Sequence, residues 1–388
     1  MKKNIVVLFG GKSVEHDISI LTGLHASRNI VTMNKVHLVY MTKDNKFMYG
    51  KALEDIRFYI EEKPCRGIKE CFFTEGFLYK KGFGNKKICK VDVVLNCAHG
   101  GIGENGELAA SLNVIDIPVT SCNYISAGKL MSKSLTREIL GNAGFIQPKF
   151  RKVAGGKYKT QNERDEILKE LMELVKFPMI VKPDVLGSSI GIAVVRNEQE
   201  LQNALDVGFD LGDECIVEEF IENALEVNCA AFYAKNKVWL SNCEILDKSE
   251  KDILDYEKKY IDGGEFIGKS KTGLNNFGKK DDEPEEYRKL FVEIRELTEK
   301  AYILFGASGV VRFDFLVDKS SDLPKIYLNE ANTVPGFLSY HLWMRKGIPY
   351  GALIEMICDQ AIENHKSKSK IITEYKSDIL AKNRSLVE

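Results

Sequence analysis

The stretch from Gly309 to Gly336, GVVRFDFLVDKSSDLPKIYLNEANTVPG, constrains the fold more than any other. Two alternating apolar runs, Val310 to Val317 and Lys325 to Asn329, predict neighbouring strands of one antiparallel sheet. The turn-rich segment Asp318 to Pro324 joins them. Arg312 and Asp314 stand two residues apart, so their side chains share a face. Glu330 and Asn332 repeat that spacing at the end of the second run. Paired, the strands gather Asp, Glu, Asn and Arg on one surface. Hard oxygen ligands beside a fixed cation suit Mg²⁺ with phosphate. A solvated sheet edge carries such charges too. The interleaved apolar residues favour a buried sheet, where charges need partners or a metal.

The rest of the chain must supply the other wall of such a site. Its 388 residues are enough for two or three domains. A formal net charge of -1 and the absence of a Lys/Arg cluster with interleaved aromatics argue against nucleic acid. Small charged molecules are the expected partners. The nine cysteines have no CxxC spacing, and Cys97, Cys215, Cys229 and Cys358 lie inside apolar runs. That pattern fits reduced, buried thiols in the cytoplasm. The apolar run Ile5 to Phe9 breaks at Gly10-Gly11, too soon for a signal peptide, and no run is long enough to span a membrane.

Taken in order, Asn4 to Phe9 reads as a buried parallel strand. Gly10-Gly11-Lys12-Ser13 is a tight turn, with Ser13 as N-cap of a helix from Val14. The turn lacks both G-x-G-x-x-G and G-x-x-x-x-G-K-[ST], which excludes the dinucleotide fingerprint and the P-loop. Glu15 is then either a carboxylate favouring the helix dipole or one held at the ligand edge of a parallel sheet. Val36 to Met41, Val91 to Cys97 and Ile115 to Thr120 are further expected strands, with a hairpin between Lys43 and Lys90. The loop His99-Gly-Gly-Ile-Gly-Glu-Asn-Gly lets backbone approach a ligand closely.

One helix is predicted from about Ser126 to Leu140, and Lys133 on it has the look of a surface lysine. A second helix is expected over Gln161 to Val175. The strand Phe177 to Lys182 runs into Asp184-Val-Leu-Gly-Ser-Ser-Ile-Gly and returns over Ile192 to Val195. A plain hairpin needs the glycines but not the serine pair or the lysine. Lysine facing a Gly-Ser-Ser loop suits a polyphosphate. Strands follow over Glu214 to Ile221, Val227 to Ala234 and Lys237 to Leu246. Asp255 to Glu286 is loop-like and reads as a mobile lid. Helices are expected over Tyr287 to Phe305 and Gly351 to Ile362, then a polar tail from Lys366.

The stretches GGKSVEHDIS, HGGIGENG, SAGKLMSK, VKPDVLGSSIG, VEEFIENALEV, DYEKKY, RFDF and NEANTVPGF, in this order, resemble the D-alanine–D-alanine ligases of the ATP-grasp superfamily. The resemblance runs over residues 4 to 360 and rests on order and spacing rather than on one motif. It implies an α/β and α+β protein. An N-terminal Rossmann-like (pre-ATP-grasp) domain with a parallel sheet would span 1–125. Two ATP-grasp subdomains would follow over 126–215 and 216–365, with a peripheral tail over 366–388.

By position, Lys133 and Lys182 would contact the phosphates of ATP, and the loop at Ser188 and Ser189 would close over them. Glu218 and the backbone of Phe220 and Ile221 would hold adenine, and Glu226 the ribose. Asp314, Glu330 and Asn332 would bind two Mg²⁺ ions, with Mn²⁺ as a substitute. Glu15 would orient the first amino acid through its ammonium. Arg312 and the Gly336 amide would stabilise the tetrahedral intermediate, a term worth roughly 3 kcal/mol per donor in other enzymes. His99, His341 and Leu342 would lie on the substrate side, and Lys259 and Tyr260 in the lid. The implied reaction is ATP-dependent joining of two D-alanines for peptidoglycan. Homodimers are frequent in the family.

Several positions depart from that pattern. Ala109 to Asn113 replace the usual Gln-Gly-x-x-Glu, Met131-Ser-Lys133 replaces Met-Asp-Lys, and Leu186 replaces an acidic residue. The hinge after Glu218 lacks its usual glycine. His341 stands where a serine helps hold the second substrate's carboxylate. A different acceptor (D-serine, D-lactate or another amine) and a neutral hydrogen-bond partner for D-alanine both remain open there. A non-catalytic nucleotide-binding relative is the third reading. The retained charges of Arg312, Asp314, Glu330 and Asn332 argue against it, because burying them without a ligand is costly.

Overall fold

A computed structural model of the chain describes residues 2–60, 67–246, 283–321, 323–368, 370 and 377–382. The expected lid falls largely on residues 247–282, outside the described residues, and Lys259 and Tyr260 go with it.

The described strands form three sheets. In the first, Asn4–Gly10 lies between Lys35–Met41 and Val93–Asn96 and is parallel to both. Its run from Ile5 to Phe9 is completely buried, which is why it reads as continuous rather than alternating. Phe47–Tyr49, Lys69–Thr74, Phe77–Lys80 and Lys86–Lys90 extend that sheet as an antiparallel meander, where a single hairpin was expected. The second sheet is antiparallel, in the order Ala193–Val195, Met179–Pro183, Glu214–Glu219, Phe150–Ala154. In the third, Leu225–Ala234 pairs with Val311–Asp318, which pairs with Lys325–Asn332, all antiparallel. The two runs that opened the sequence reading are therefore neighbouring strands. The whole is the ATP-grasp arrangement preceded by a parallel-sheet α/β unit.

Four expectations need correction. The first helix is His16–Asn29, and Glu15 rather than Ser13 is its N-cap. The Ser13 hydroxyl instead accepts the Glu15 amide at 3.0 Å, which delays helix entry. Ile115 to Thr120 makes only a single parallel bridge, Val94 to Val119. Pro118 has no N–H to donate, and Asp116 sits at φ 61°. The helix expected over 126–140 is two helices, Tyr124–Met131 and Lys133–Asn142, broken at Ser132. Lys237 to Leu246 is two short strands, Lys237–Leu240 and Glu244–Leu246. Between them the Ser241 hydroxyl accepts the Ala230 amide at 2.9 Å, displacing a ladder bond. The strand Phe150–Ala154 and the helices Glu107–Val114 and Glu198–Leu211 had no counterpart in the sequence reading.

One apolar core ties the first sheet to the third. Phe9 and Leu24 share it with Phe232, Trp343, Leu353 and Ile357. The helix Tyr350–Lys368, near the end of the chain, thus fixes the N-terminal unit against the sheet carrying Arg312 and Asp314. The cleft between them owes its shape to this joint.

Candidate active site

The floor of the cleft follows from strand register. Arg312 faces Asn332, and Asp314 faces Glu330, across the antiparallel pair. Asp314 also faces Asn228, which in turn faces Glu244. A polar rung therefore crosses four strands. The Arg312 guanidinium donates to both Asp314 oxygens, at 2.7 and 2.9 Å, and Asn332 Nδ2 donates to Asp314 Oδ2 at 2.9 Å. Both members of the Arg312–Asp314 pair are buried, so the fork geometry matters more than on a surface.

Asp314, Glu330 and Asn332 offer oxygen donors from adjoining strands. Among the described residues no three His, Cys, Asp or Glu side chains cluster into a metal site by themselves. An ion that completes its shell with phosphate and water fits this donor set, as Mg²⁺ does.

A β-bulge links the floor to the facing wall. Register shifts after Asp314, so that Phe315 faces Leu328 and Asn329 is the extra residue. Asn329 Oδ1 then accepts from Lys182 Nζ at 3.1 Å and from Arg137 at 3.2 Å. Lys182 also reaches Glu218 Oε2 at 2.6 Å, and Arg137 Nε reaches Glu218 Oε1 at 2.5 Å. Burial alone would raise the Glu218 carboxyl, but Arg137 and Lys182 overcome it and hold the group at about 2. The carboxylate expected to hold adenine is thus already paired with two cations. Beside it, Phe220 donates its amide to Pro178 O at 3.3 Å, and Phe220, Ile221 and Glu226 are all half-buried at the same edge.

Asp184 explains the helix break and places Lys133. Its carboxylate accepts the Ser132 hydroxyl at 2.6 Å and the Ser134 amide at 2.7 Å, and its carbonyl accepts the Lys133 amide at 3.0 Å. The Lys133 ammonium donates to Leu186 O at 2.6 Å and Pro183 O at 3.2 Å, at the root of the Ser188 loop. Burial lowers its pKa, so it is no ordinary surface lysine. Ser188 and Ser189 are both left-handed, at φ 57°. The Ser188 hydroxyl donates to the Glu15 carboxylate, which joins the loop to the first helix.

The remaining wall is the loop after Asn332. Glu15, His99, Ser188, Arg312, Glu330 and Gly336 line one cleft with Asn332, Tyr340 and His341. Both His99 ring nitrogens are engaged inside the protein, Nδ1 with Val334 O at 2.6 Å and Nε2 with Thr22 Oγ1 at 2.7 Å. Glu104 lies 3.8 Å from His99, and its carboxyl is pushed up chiefly by burial. Phe337, Leu338 and Ser339 are consecutive left-handed residues, none of them glycine. Each costs about 1–2 kcal/mol in that conformation. His341 Nε2 lies 3.0 Å from Glu244 Oε2, and Arg345 lies 3.3 Å from Glu244 Oε1. Burial would raise the Glu244 carboxyl, but His341, Arg345 and Arg312 bring it below its ordinary value. Leu342 packs its side chain into the core instead of the cleft.

The cleft thus unites Glu15, His99, Ser188, Arg312, Glu330, Asn332, Gly336 and His341. The sequence reading gave no individual role to Thr22, Glu104, Arg137, Asp184, Glu244 or Asn329. Arg137 was the most legible of them, as a charged residue on a helix face that is otherwise buried.

Comparison with known proteins agrees with this geometry. The family model described as "D-ala D-ala ligase N-terminus" matches residues 4–122, and "D-ala D-ala ligase C-terminus" matches 139–359. The D-alanine--D-alanine ligase of Thermosipho africanus is 34% identical, over 95% of this chain and 96% of its own. The structure of the D-alanine-D-alanine ligase from Coxiella burnetii superposes with a TM-score of 0.75 at 20% identity, over 95% of this chain and 98% of its own. VanG D-Ala:D-Ser ligase from Enterococcus faecalis gives 0.74 at 24%, over 93% and 100%. These two likenesses carry the fold. Among the described residues no helix is long and apolar enough to cross a membrane. With both halves matched and a relative similar along nearly its full length, the chain belongs to the D-alanine–D-alanine ligase family of ATP-dependent, ADP-forming ligases.

Proposed function

We propose that this chain joins two amino acids using ATP, with D-alanine as both donor and acceptor, giving the dipeptide, ADP and phosphate. One relationship carries the reading. The Arg312–Asp314 floor and the Ser188 loop meet in a single cleft that also holds Glu15.

Glu15 orients the ammonium of the first amino acid and turns its carboxylate toward ATP. A carboxylate oxygen attacks the γ-phosphorus in line, the bond to the ADP oxygen breaks, and an acyl phosphate forms. Lys133 and Lys182 neutralise charge on the phosphates, and Ser188 and Ser189 cover them. Glu218 and the backbone of Phe220 and Ile221 hold adenine, and Glu226 the ribose. Asp314, Glu330 and Asn332 would hold two Mg²⁺ ions, which would supply further charge neutralisation. The amine of the second amino acid then attacks the acyl carbon. Arg312 and the Gly336 amide stabilise the oxyanion, and the C–O bond to phosphate breaks. Lys259 and Tyr260 belong to a lid that keeps water from the acyl phosphate.

The test is ADP release and product mass from purified protein with ATP, Mg²⁺ and a panel of D- and L-amino acids. ADP and dipeptide from D-alanine support the reading, and no ADP from any D-amino acid pair overturns it. A second reading, a different acceptor, is favoured by the His341–Glu244 pair on the acceptor side of the cleft. Competition between D-alanine and D-serine or D-lactate decides it, and a large preference for D-alanine refutes it. A cytoplasmic location fits the ATP requirement. Light scattering tests a homodimer, and limited proteolysis tests units over 1–125, 126–215 and 216–365.

A further inference from the structure

The left-handed turn Phe337–Ser339 follows directly on Gly336, and two contacts from the N-terminal unit bracket it. Ahead of the turn, His99 Nδ1 meets Val334 O at 2.6 Å. A carbonyl only accepts, so Nδ1 carries the hydrogen. At its start, the Phe337 amide donates to Thr22 Oγ1 at 3.2 Å. The same Thr22 oxygen lies 2.7 Å from His99 Nε2. In neutral His99 that nitrogen holds a lone pair, so the hydroxyl donates to it. The contacts form one relay, from the Phe337 amide through Thr22 and His99 to the Val334 carbonyl. Thr22, His99 and Ser339 are all buried.

Nothing in the turn's own sequence favours its shape. Phe337, Leu338 and Ser339 stand at φ 49°, 54° and 51°, which non-glycine residues avoid. Backbone held in such a region persists only where its surroundings over-determine it. The relay grips residues 334 and 337, one on each side of Pro335-Gly336. It therefore fixes where the Gly336 amide points.

We propose that Thr22 and His99 are positioning residues, a two-point clamp that holds Val334 to Phe337 so that the Gly336 amide faces the reacting carbonyl. His99 then acts through the loop instead of touching substrate. The clamp rests on the reading of Gly336 as an oxyanion donor, and a misplaced donor costs the chemical step rather than ground-state binding.

The experiment compares Thr22→Val, Thr22→Ala and Thr22→Ser with the wild type by kcat, KM for ATP and D-alanine, melting temperature and ¹⁵N shifts of the His99 ring. Valine keeps the shape and loses the hydroxyl, alanine folds where valine does not, and serine keeps the hydroxyl. Expected are a kcat about 10–100-fold lower in Thr22→Val and Thr22→Ala. Thr22→Ser should restore kcat to within about threefold of wild type, with every KM changed less than about threefold. The wild-type ring should carry its hydrogen on Nδ1, and its Nε2 shift should move in Thr22→Val and Thr22→Ala but not in Thr22→Ser. Unchanged kcat in the hydroxyl-free variants, equal loss in serine and valine, or a neutral wild-type ring protonated on Nε2 would overturn the clamp. The ring shifts judge it even if the wild type forms no dipeptide, a result that would sink the functional reading instead.

Discussion

Lys182 Nζ lies 2.6 Å from Glu218 Oε2, and Arg137 holds the other oxygen of the same carboxylate. The two cations belong to different elements, the strand Met179–Pro183 and the helix Lys133–Asn142. Glu218 therefore joins them at the wall of the cleft. It also keeps Lys182 extended toward the floor, where Asn329 receives it.

This pairing makes stability depend on pH in a definite window. The Glu218 carboxyl falls from an ordinary 4.5 to about 2 in the folded protein. A depressed folded pKa stabilises fully above the unfolded value and is lost as pH falls through the folded one. The contribution, about 3 kcal/mol, should be present above pH 5 and fade between pH 4.5 and 2. Glu218→Gln should lose roughly 3–5 kcal/mol at neutral pH, since two buried cations lose their anion. Denaturant unfolding across pH should show the difference between variant and wild type shrinking in that acid window. A constant difference down to pH 2 contradicts the assignment.

Asp314 is the common partner of Arg312 and Asn332. Asp314→Asn keeps the volume but leaves the buried Arg312 short of its charge partner. Stability should fall by roughly 3 kcal/mol. Turnover should drop by a factor on the order of 10³ or more. Excess EDTA should abolish wild-type turnover, and added Mg²⁺ should restore it. Denaturant unfolding measures the stability loss, and steady-state ADP release measures the turnover effects.

Ser339 bears two costs at once. It is left-handed at φ 51°, and its buried hydroxyl has no hydrogen-bond partner among the described residues. Glycine removes both. Against that stands the entropy of an added glycine, about 0.5–1 kcal/mol. The left-handed penalty of about 1–2 kcal/mol and the orphan hydroxyl of about 1–3 kcal/mol outweigh it. Ser339→Gly should therefore raise stability by about 1–4 kcal/mol, read as a higher melting temperature. A lower one shows that the hydroxyl has a partner in solution.

The sequence made the floor of the site legible because strand geometry is local. A period of two puts Arg312 with Asp314 and Glu330 with Asn332, and the structure pairs them as that period requires. The break at Ser132 was hidden because its cause is distant. Asp184, on another element, supplies the carboxylate that draws the helix apart. Asn329 was hidden for a similar reason, since only the bulge after Asp314 aims it at Lys182. His99 was seen in a glycine-rich loop as a ligand-facing group, yet Thr22 and Val334 occupy both of its nitrogens. Local pattern marks which residues are chemical. It does not say which of them are already spoken for by the fold.

The central claim is acyl transfer through a phosphorylated carboxylate, and its most direct test is the fate of one oxygen atom. D-Alanine labelled with ¹⁸O in its carboxylate is incubated with ATP, Mg²⁺ and the purified protein, and the released phosphate is analysed by mass spectrometry. Attack of the carboxylate on the γ-phosphorus, followed by displacement at the acyl carbon, leaves one ¹⁸O in each phosphate formed with dipeptide. Phosphate free of label, or ADP formed without dipeptide, would mean that water is the attacking group and would contradict the account.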